Sequence, residues 1–281
     1  MPNPHELIPD YLLIGHIAHD VTPQGPQLGG TVSYAAHTAA AFGLRVAILT
    51  STAPDEPLLA ALPPQALVIS IPAEHTTTFE NIYDGDSRTQ YLHHRAAGLG
   101  PVALPPAWRK ARLVHLGPIA YEIDPALMSA FDGSRICVTP QGWMRKRESD
   151  GRVSTIPWAS AGQVLPKTAL TVLSEEDIRH DPGLEHAFAA LAPLMILTRG
   201  KRGGTIYRHS ARREFPAFPA HEVNPTGAGD IFATVLHIML EQTGDLDYAV
   251  MIAARLAGQS VTRVGLASVP TPQEIAQAVR S

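Results

Sequence analysis

Seven short apolar runs, each three or four residues long and rich in β-branched side chains, set the strongest limit on the fold of this 281-residue chain. Apolar runs without alternating polar residues are typical of strands buried on both faces of a parallel sheet. These runs lie at residues 11–14, 46–49, 67–69, 113–116, 136–138, 170–173 and 194–197. Helical patterns lie between several of them, at residues 33–42, 57–62, 125–131 and 184–191. The alternation predicts an α/β layered fold.

The composition fits a folded chain and excludes several classes of protein. Hydrophobic residues make up 45% and the net charge is only −4, which is unlike the composition of a disordered protein. The single cysteine, Cys137, excludes an internal disulfide and a thiolate zinc cluster. A pI near 6.3 argues against a nucleic-acid partner bound by bulk charge.

Neither a membrane anchor nor a secretion signal is expected. The longest apolar run, residues 187–197, contains Pro193 and is too short to span a bilayer. The first six residues lack the basic and apolar regions of a signal peptide. We therefore expect a cytoplasmic protein with no membrane partner.

Two stretches interrupt the alternation of strands and helices. Residues 76–95 have the pattern of a hairpin about a turn at Asp84-Gly85-Asp86, and residues 203–218 that of a second hairpin. The first is polar enough to be an exposed lid, and a peripheral antiparallel decoration is the alternative.

The stretch Asn224-Pro225-Thr226-Gly227-Ala228-Gly229-Asp230 carries the clearest chemical signal. It leads into an apolar helix predicted over residues 228–240. A helix N-terminus offers unsatisfied N–H groups and a partial positive charge, and small residues let an anion approach them. Asp230 beside such a site is suited to deprotonate a hydroxyl that attacks a phosphorus atom. The alternative is an ordinary capped helix with an acid in its first turn.

This stretch resembles the C-terminal signature of the ribokinase-like carbohydrate kinases, the phosphofructokinase-B family, which usually reads Asp-Thr-Thr-Gly-Ala-Gly-Asp-x-Phe. Further motifs follow in the family's order along the chain. They are Gly15 with Asp20, the double glycine Gly29-Gly30, residues 50–55, and Thr198 to Gly203. Several motifs in order are far more specific than any one of them.

The resemblance implies a ribokinase-like three-layer α/β fold, with a mostly parallel central sheet flanked by helices and a small β lid. It implies one kinase domain over residues 1–281, with the lid hairpin at residues 76–95. It also implies transfer of the γ-phosphoryl group of ATP to a hydroxyl, with Mg²⁺ as cofactor. Asp230 would be the base, and the N–H groups of Gly227, Ala228 and Gly229 would form the anion hole. A Walker A loop is not the phosphate site, because Thr31 stands where that motif needs a lysine.

The resemblance also implies which residues bind the substrate and which bind the nucleotide. For the substrate these are Asp20, Gly29, Gly30 and Tyr34. For the nucleotide they are Thr198, Gly200 and Gly203, with Ala254 and Gly258 on a helix that flanks the adenine. Close helix packing is the alternative role of Ala254 and Gly258.

Three positions depart from the family pattern. Tyr34 stands where many sugar kinases have an asparagine that contacts sugar hydroxyls, so the pocket should differ from a ribose pocket. Asp177 stands in place of a glutamate near the metal, with Glu176 as a second candidate, and a role through water suits magnesium. Asn224 replaces an aspartate, which leaves dependence on a monovalent cation open.

Residues 139–145, Thr-Pro-Gln-Gly-Trp-Met-Arg, are similar to the Asp-x-Gln-Gly-x-x-Arg segment of the inositol-kinase-like branch. Gln141 and Arg145 follow a strand, where ligands usually bind in an α/β sheet. We therefore expect a cyclic polyol or a related sugar as the substrate. Arg145 in a solvated Arg-Lys-Arg run is the alternative.

Other readings of the sequence stay open. A nucleoside kinase of the same fold is the nearest, with Tyr34 or a lid aromatic stacked on the base. A catalytically silent relative that binds a metabolite is a second. The chain is expected to be a monomer or a homodimer, since lid strands can pair between subunits.

Overall fold

The computed structural model describes residues 6–22, 25–84, 87–131, 133–209 and 211–280. Its strands are β1 Tyr11–Ile14, β2 Ala18–Thr22, β3 Gly25–Gly29, β4 Val46–Thr52, β5 Leu67–Pro72, β6 Thr78–Asp84, β7 Ser87–His94, β8 Leu113–Leu116, β9 Arg135–Val138, β10 Arg145–Arg147, β11 Val153–Thr155, β12 Leu170–Ser174, β13 Leu194–Thr198, β14 Gly204–Arg208 and β15 Ala211–Phe215. All the strands expected from the apolar runs are confirmed.

The α-helices are α1 Thr31–Ala41, α2 Ala161–Val164, α3 Glu175–Ile178, α4 Gly183–Leu191, α5 Ala228–Thr243, α6 Leu246–Ser260 and α7 Pro272–Arg280. The stretches expected to be helical near residues 57 and 125 are 3₁₀ turns, Pro57–Ala61 and Pro125–Ala130. Each starts with proline after an acidic cap, Glu56 or Asp124, and ends within about two turns, a length at which 3₁₀ geometry is common. Further 3₁₀ turns lie at Pro101–Ala103, Trp108–Lys110, Pro140–Met144, Leu165–Lys167, Gly200–Arg202 and Gly265–Ser268.

A nine-stranded sheet forms the centre of the fold, in the order β15-β14-β13-β12-β9-β8-β1-β4-β5. Every neighbouring pair from β13 to β5 is parallel, and β14 and β15 add an antiparallel edge. The carboxyl ends of the parallel strands therefore meet at one edge of the sheet, the usual ligand edge of such folds.

Alternate residues of the strands face two separate cores. Leu12 and Ile14 pack with Trp108 and Trp143 and with the side of α4. Tyr11 and Leu13 face α1 and α5 on the opposite side, and this core continues under α6 and α7. The sheet thus lies between two helical layers. This confirms the mostly parallel α/β fold, and it places the tryptophans at 108 and 143 in the core.

The lid is larger than the hairpin expected from the sequence. It is a separate four-stranded sheet in the order β3-β2-β6-β7, in which β6 and β7 are the expected hairpin. Strands β2 and β3 were not expected, because their polar and glycine-containing sequence lacks the alternation of an amphipathic strand. Gly85 and Asp86 of the expected turn lie outside the described residues.

Two further sequence expectations concern the second hairpin and the membrane. Strands β14 and β15 form the late hairpin expected within residues 203–218. In the described ranges, no helix combines the length and apolarity that crossing a bilayer requires.

We predict that two glycines of the same loop differ sharply in their tolerance of a methyl group. Gly203 has φ of 82°, and a Cβ there would lie 2.0 Å from the carbonyl oxygen of Phe215, so Gly203→Ala should lower the free energy of unfolding by roughly 3 kcal/mol or more. Gly200 also has positive φ but open space around it, so Gly200→Ala should cost only about 1–2 kcal/mol. Urea unfolding of both variants measures the difference, and equal losses would contradict the packing described here.

Candidate active site

The N-terminus of α5 lies at the ligand edge of the sheet. Gly227 precedes the helix in the left-handed conformation, with φ of 82°. The N–H of Ala228 donates to the Pro225 carbonyl at 3.2 Å, so it is already engaged. The N–H groups of Gly227 and Gly229 have no partner among the described residues, and no atom lies within 4 Å of a Cβ position at Gly229. The geometry supports an anion hole of two N–H groups rather than the three that the sequence suggested.

Asp230 lies in the first turn of α5 and is half-buried. Burial raises the pKa of its carboxyl to about 6, and the negative charge of Asp177 adds to this increase. A hydrogen bond from Thr31 and the positive charge of Arg145 act in the opposite direction. With that pKa the carboxyl is mostly ionised near pH 7 and is basic enough to accept a proton.

Asp177 lies near the Asp230 carboxylate and interacts with the start of α3, with Gln141 and with Arg145. Its Oδ2 accepts from the Ser174 N–H at 2.9 Å in a capping box at the start of α3. Its Oδ1 accepts from Nε2 of Gln141 at 2.9 Å. Burial raises the pKa of Asp177, while the charge of Arg145 lowers it. Gln141, Arg145, Asp177 and Asp230 are therefore brought together, as the sequence motifs suggested.

A magnesium ion fits this site only through water or phosphate. Both oxygens of Asp177 already accept hydrogen bonds, and Glu176 is exposed. Within the described ranges, no three His, Cys, Asp or Glu side chains converge as a ligand set. Magnesium commonly keeps several waters beside phosphate ligands, which agrees with a single nearby carboxylate such as Asp177.

The Tyr34 ring lies between the start of α5 and the Asp20 carboxylate. Its ring lies only 2.4 Å from the position a Cβ would take on Gly227, and the residue is 3% exposed. Burial raises the pKa of its phenol, and the charges of Asp230 and Asp20 raise it further. The ring therefore lies near both carboxylates, in the place where the family pattern has a small amide.

Close contacts with a side chain and with the backbone require both glycines of the pair Gly29-Gly30. A Cβ on Gly29 would lie 2.0 Å from the Asp20 carboxylate, which comes from the neighbouring strand β2. Gly30 has φ of 88°, and a Cβ there would lie 2.7 Å from the His16 carbonyl oxygen. These contacts explain both glycines, and they set the Asp20 carboxylate against the start of α1.

A cavity of about 330 Å³ lies beneath the lid. Phe79 and Leu92 from the inner lid face, Ile119 and Arg145 are among its lining residues. Sequence reasoning missed Phe79 and Leu92 as lining residues, although the alternation within strands β6 and β7 was the signal for them. The buried carboxylate of Glu122 accepts from the backbone N–H groups at residues 16, 119 and 120, so it fixes one wall of the cavity.

Gly200 and Gly203, both proposed to bind the nucleotide, differ in the space around them. Gly200 has open space around it, while Gly203 is required by its contact with Phe215. The Thr198 hydroxyl donates to the Leu173 carbonyl at 3.3 Å, at the carboxyl end of β13. Gly200 therefore remains open at the ligand edge, the Thr198 hydroxyl keeps only its acceptor lone pairs for a ligand, and Gly203 has a packing role.

A second cavity, of about 490 Å³, lies between α6 and the chain that follows β15. Ala254 lines it together with Phe218, Met251 and other mostly apolar residues. Gly258 is covered instead, since a Cβ there would lie 2.8 Å from Cβ of Phe218. The cavity has the volume and the apolar wall expected of a site for a flat aromatic group.

The model of the pfkB family carbohydrate kinases matches residues 169–274, which include α5 and its glycine-rich start. In this segment the chain is similar to the ribokinase-like family. A cytidine kinase of Thermococcus kodakarensis is 27% identical over 242 residues, which cover 80% of this chain and 86% of that protein. An inositol 3-kinase of Oryza sativa subsp. japonica is 24% identical over 249 residues, covering 79% of this chain and 60% of that protein.

Solved structures of the family share the fold over the whole chain. A variant of a pyrophosphate-dependent myo-inositol kinase superposes with a TM-score of 0.79 at 18% identity, covering 96% of this chain and 98% of that one. Members with solved structures include an ATP and Mg²⁺ complex as well as pyrophosphate-dependent kinases. The ribokinase-like fold is thereby confirmed, and these relatives are kinases.

We predict that the pKa of Asp230 shifts in opposite directions when its two charged neighbours, Asp177 and Arg145, are neutralised one at a time. Asp177→Asn removes a negative charge and should lower the pKa of Asp230, whereas Arg145→Gln removes a positive charge and should raise it. Carboxyl ¹³C NMR titration of each variant measures this without a substrate. Shifts in the same direction, or none, would contradict the electrostatic arrangement. Glu176→Gln serves as the control, because this exposed charge is not among those that shift the pKa of Asp230.

Proposed function

We propose that the protein is an ATP-dependent kinase that phosphorylates a hydroxyl of a cyclic polyol or a related sugar, with an inositol-like ring as the best candidate. One observation carries the proposal: the Asp230 carboxylate lies beside the unpartnered N–H groups of Gly227 and Gly229 at a helix N-terminus. A base and an anion site on the same turn suit transfer of a phosphoryl group.

The reaction would proceed by direct displacement at the γ-phosphorus. Asp230 accepts the proton of the acceptor hydroxyl as that oxygen bonds to phosphorus, and the bond to the β-phosphate oxygen breaks to release ADP. The N–H groups of Gly227 and Gly229 stabilise the charge on the transferring group. The proton ends on Asp230, whose raised pKa suits this task.

Asp177 is the residue best placed to hold magnesium through water, with exposed Glu176 beside it. The ion would neutralise phosphate charge during transfer. Gln141 donates to Asp177, so this amide orients the carboxylate.

The cavity beneath the lid is the proposed acceptor site. Arg145 lines it and provides several donors for vicinal hydroxyl oxygens, while Phe79 and Leu92 supply an apolar wall for a ring. Tyr34 narrows the space around Asp20, which favours an acceptor different from free ribose. Closure of the lid would exclude water as a competing acceptor.

A nucleoside is the second candidate acceptor, and the cytidine kinase relative favours it. Tyr34 is too deeply buried against Gly227 to stack on a base, so this role would pass to Phe79 in the lid. Pyrophosphate is the second candidate donor, because a structural relative depends on it. The apolar cavity beside Ala254 favours ATP, since pyrophosphate has no group to fill it.

A matrix of donors and acceptors tests the proposal. ATP and pyrophosphate, each with Mg²⁺, are combined with inositols, ribose and nucleosides, and the phosphorylated product is measured. We expect turnover of inositols or related polyols with ATP. Turnover of ribose or nucleosides, with no turnover of inositols, would refute the assignment of a polyol acceptor. Turnover only with pyrophosphate would refute ATP as the donor. No transfer with any pair would favour a silent metabolite-binding relative.

A further inference from the structure

On the face of α5 that packs against the sheet, a line of polar residues begins at Asp230. Thr234, His237 and Glu241 follow Asp230 at spacings of four, seven and eleven residues, so all four share one face of α5. The surrounding residues of α5 are buried and apolar. A polar line through such a helix has a desolvation cost, so each member needs a partner.

Each of these residues has a partner. The Thr234 hydroxyl donates to the Asp230 carbonyl at 2.8 Å. His237 contacts Tyr11 and the Arg135 carbonyl. Glu241 forms ion pairs with Arg112 and Arg135 at the far end of the helix.

The contacts of His237 and Tyr11 continue across the sheet as one chain of hydrogen bonds. Nε2 of His237 lies 3.1 Å from the Arg135 carbonyl oxygen, and its Nδ1 lies 3.2 Å from the Tyr11 oxygen. That same oxygen lies 3.2 Å from Nδ1 of His115, whose Nε2 lies 3.1 Å from the hydroxyl of Thr139. Tyr11, His115 and His237 are each at most 1% exposed.

The direction of every hydrogen bond in this chain follows from its last acceptor. A carbonyl only accepts, so Nε2 of His237 carries a proton and its Nδ1 accepts from the Tyr11 hydroxyl. Tyr11 must then accept from Nδ1 of His115. The Thr139 hydroxyl consequently donates to Nε2 of His115. Burial lowers the pKa of both histidines to about 3, so both are neutral and this single arrangement persists near pH 7.

The two ends of this hydrogen-bond chain lie on the elements that carry the active-site residues Gln141 and Asp230. Thr139 immediately precedes the 3₁₀ turn that carries Gln141, and it stands where the inositol-kinase-like segment has an aspartate. His237 lies two turns along α5 from Asp230. This chain of hydrogen bonds therefore connects the helix of the proposed base to the loop of the proposed acceptor site, through strands β1 and β8.

We propose that the chain Thr139–His115–Tyr11–His237 is a positioning device, which fixes the rotation and axial position of α5 so that Asp230 is aimed at the acceptor. Apolar packing alone tolerates small slips of a helix, whereas buried directional hydrogen bonds specify one register. The proposal rests on the proposed kinase function for its kinetic measurement only.

Tyr11→Phe tests the device by removing a single oxygen atom. We expect amide hydrogen exchange of residues 231–234 to become at least tenfold faster. We also expect kcat to fall at least tenfold, with KM for ATP unchanged within threefold. The control is Thr168→Val, which removes a buried hydroxyl that bonds to the Leu165 carbonyl and the Thr171 hydroxyl but to no member of the hydrogen-bond chain, and it should alter neither quantity. Both are measured well below the melting temperature of each variant.

Unchanged exchange in Tyr11→Phe with kcat within twofold of the wild type would overturn the proposal, because the oxygen would then serve stability alone. If Tyr11→Phe does not fold, two variants of His237 decide. His237→Asn keeps an amide oxygen that accepts from Tyr11, and His237→Leu keeps none. The proposal requires at least fivefold higher kcat for His237→Asn, and equal values would refute it. If no acceptor is turned over by the wild type, the exchange measurement still decides.

Discussion

A half-buried carboxylate at the N-terminus of α5 is the constraint on which the rest of this structure depends. Burial and the charge of Asp177 raise the pKa of Asp230, and the Thr31 hydroxyl with the Arg145 guanidinium keeps it from rising further. The resulting pKa of about 6 leaves the group ionised at neutral pH and still basic. Each contributor comes from a different element, so the site forms only when the sheet, the helices and the segment after β9 are assembled.

The polypeptide around this carboxylate is arranged to leave an anion site open. Gly227 adopts a left-handed conformation against the Tyr34 ring, and Gly229 faces open space. Side chains at these positions would clash with the ring or cover the free N–H groups. The same helix is joined through His237 and Tyr11 to His115 and Thr139, so the proposed base and the proposed acceptor loop would share one support.

The sequence was sufficient for the central sheet and for the position of the glycine-rich start of α5. Continuous apolar runs identify buried parallel strands, and the glycine-rich stretch predicts where α5 starts. Strands β2 and β3 were missed because their stability comes from pairing with each other and with β6 rather than from an apolar face. Gly203 and Gly258 look like ligand residues in the sequence, yet their contacts with Phe215 and Phe218 become visible only in three dimensions. The polar residues at heptad-like spacing in α5 were a signal for the buried hydrogen-bond chain, which a search for motifs does not detect.

The pH dependence of kcat/KM for the acceptor, at saturating donor, tests the central claim most directly, because it reports ionisation of the essential base before the acceptor binds. Below its pKa Asp230 is protonated and cannot accept the hydroxyl proton, so the wild type should lose activity about tenfold per pH unit below pH about 6. Asp230→Asn should show no turnover at any pH while it still binds ATP. A profile that stays flat down to pH about 4.5, or near wild-type turnover by Asp230→Asn, would contradict the assignment of Asp230 as the base.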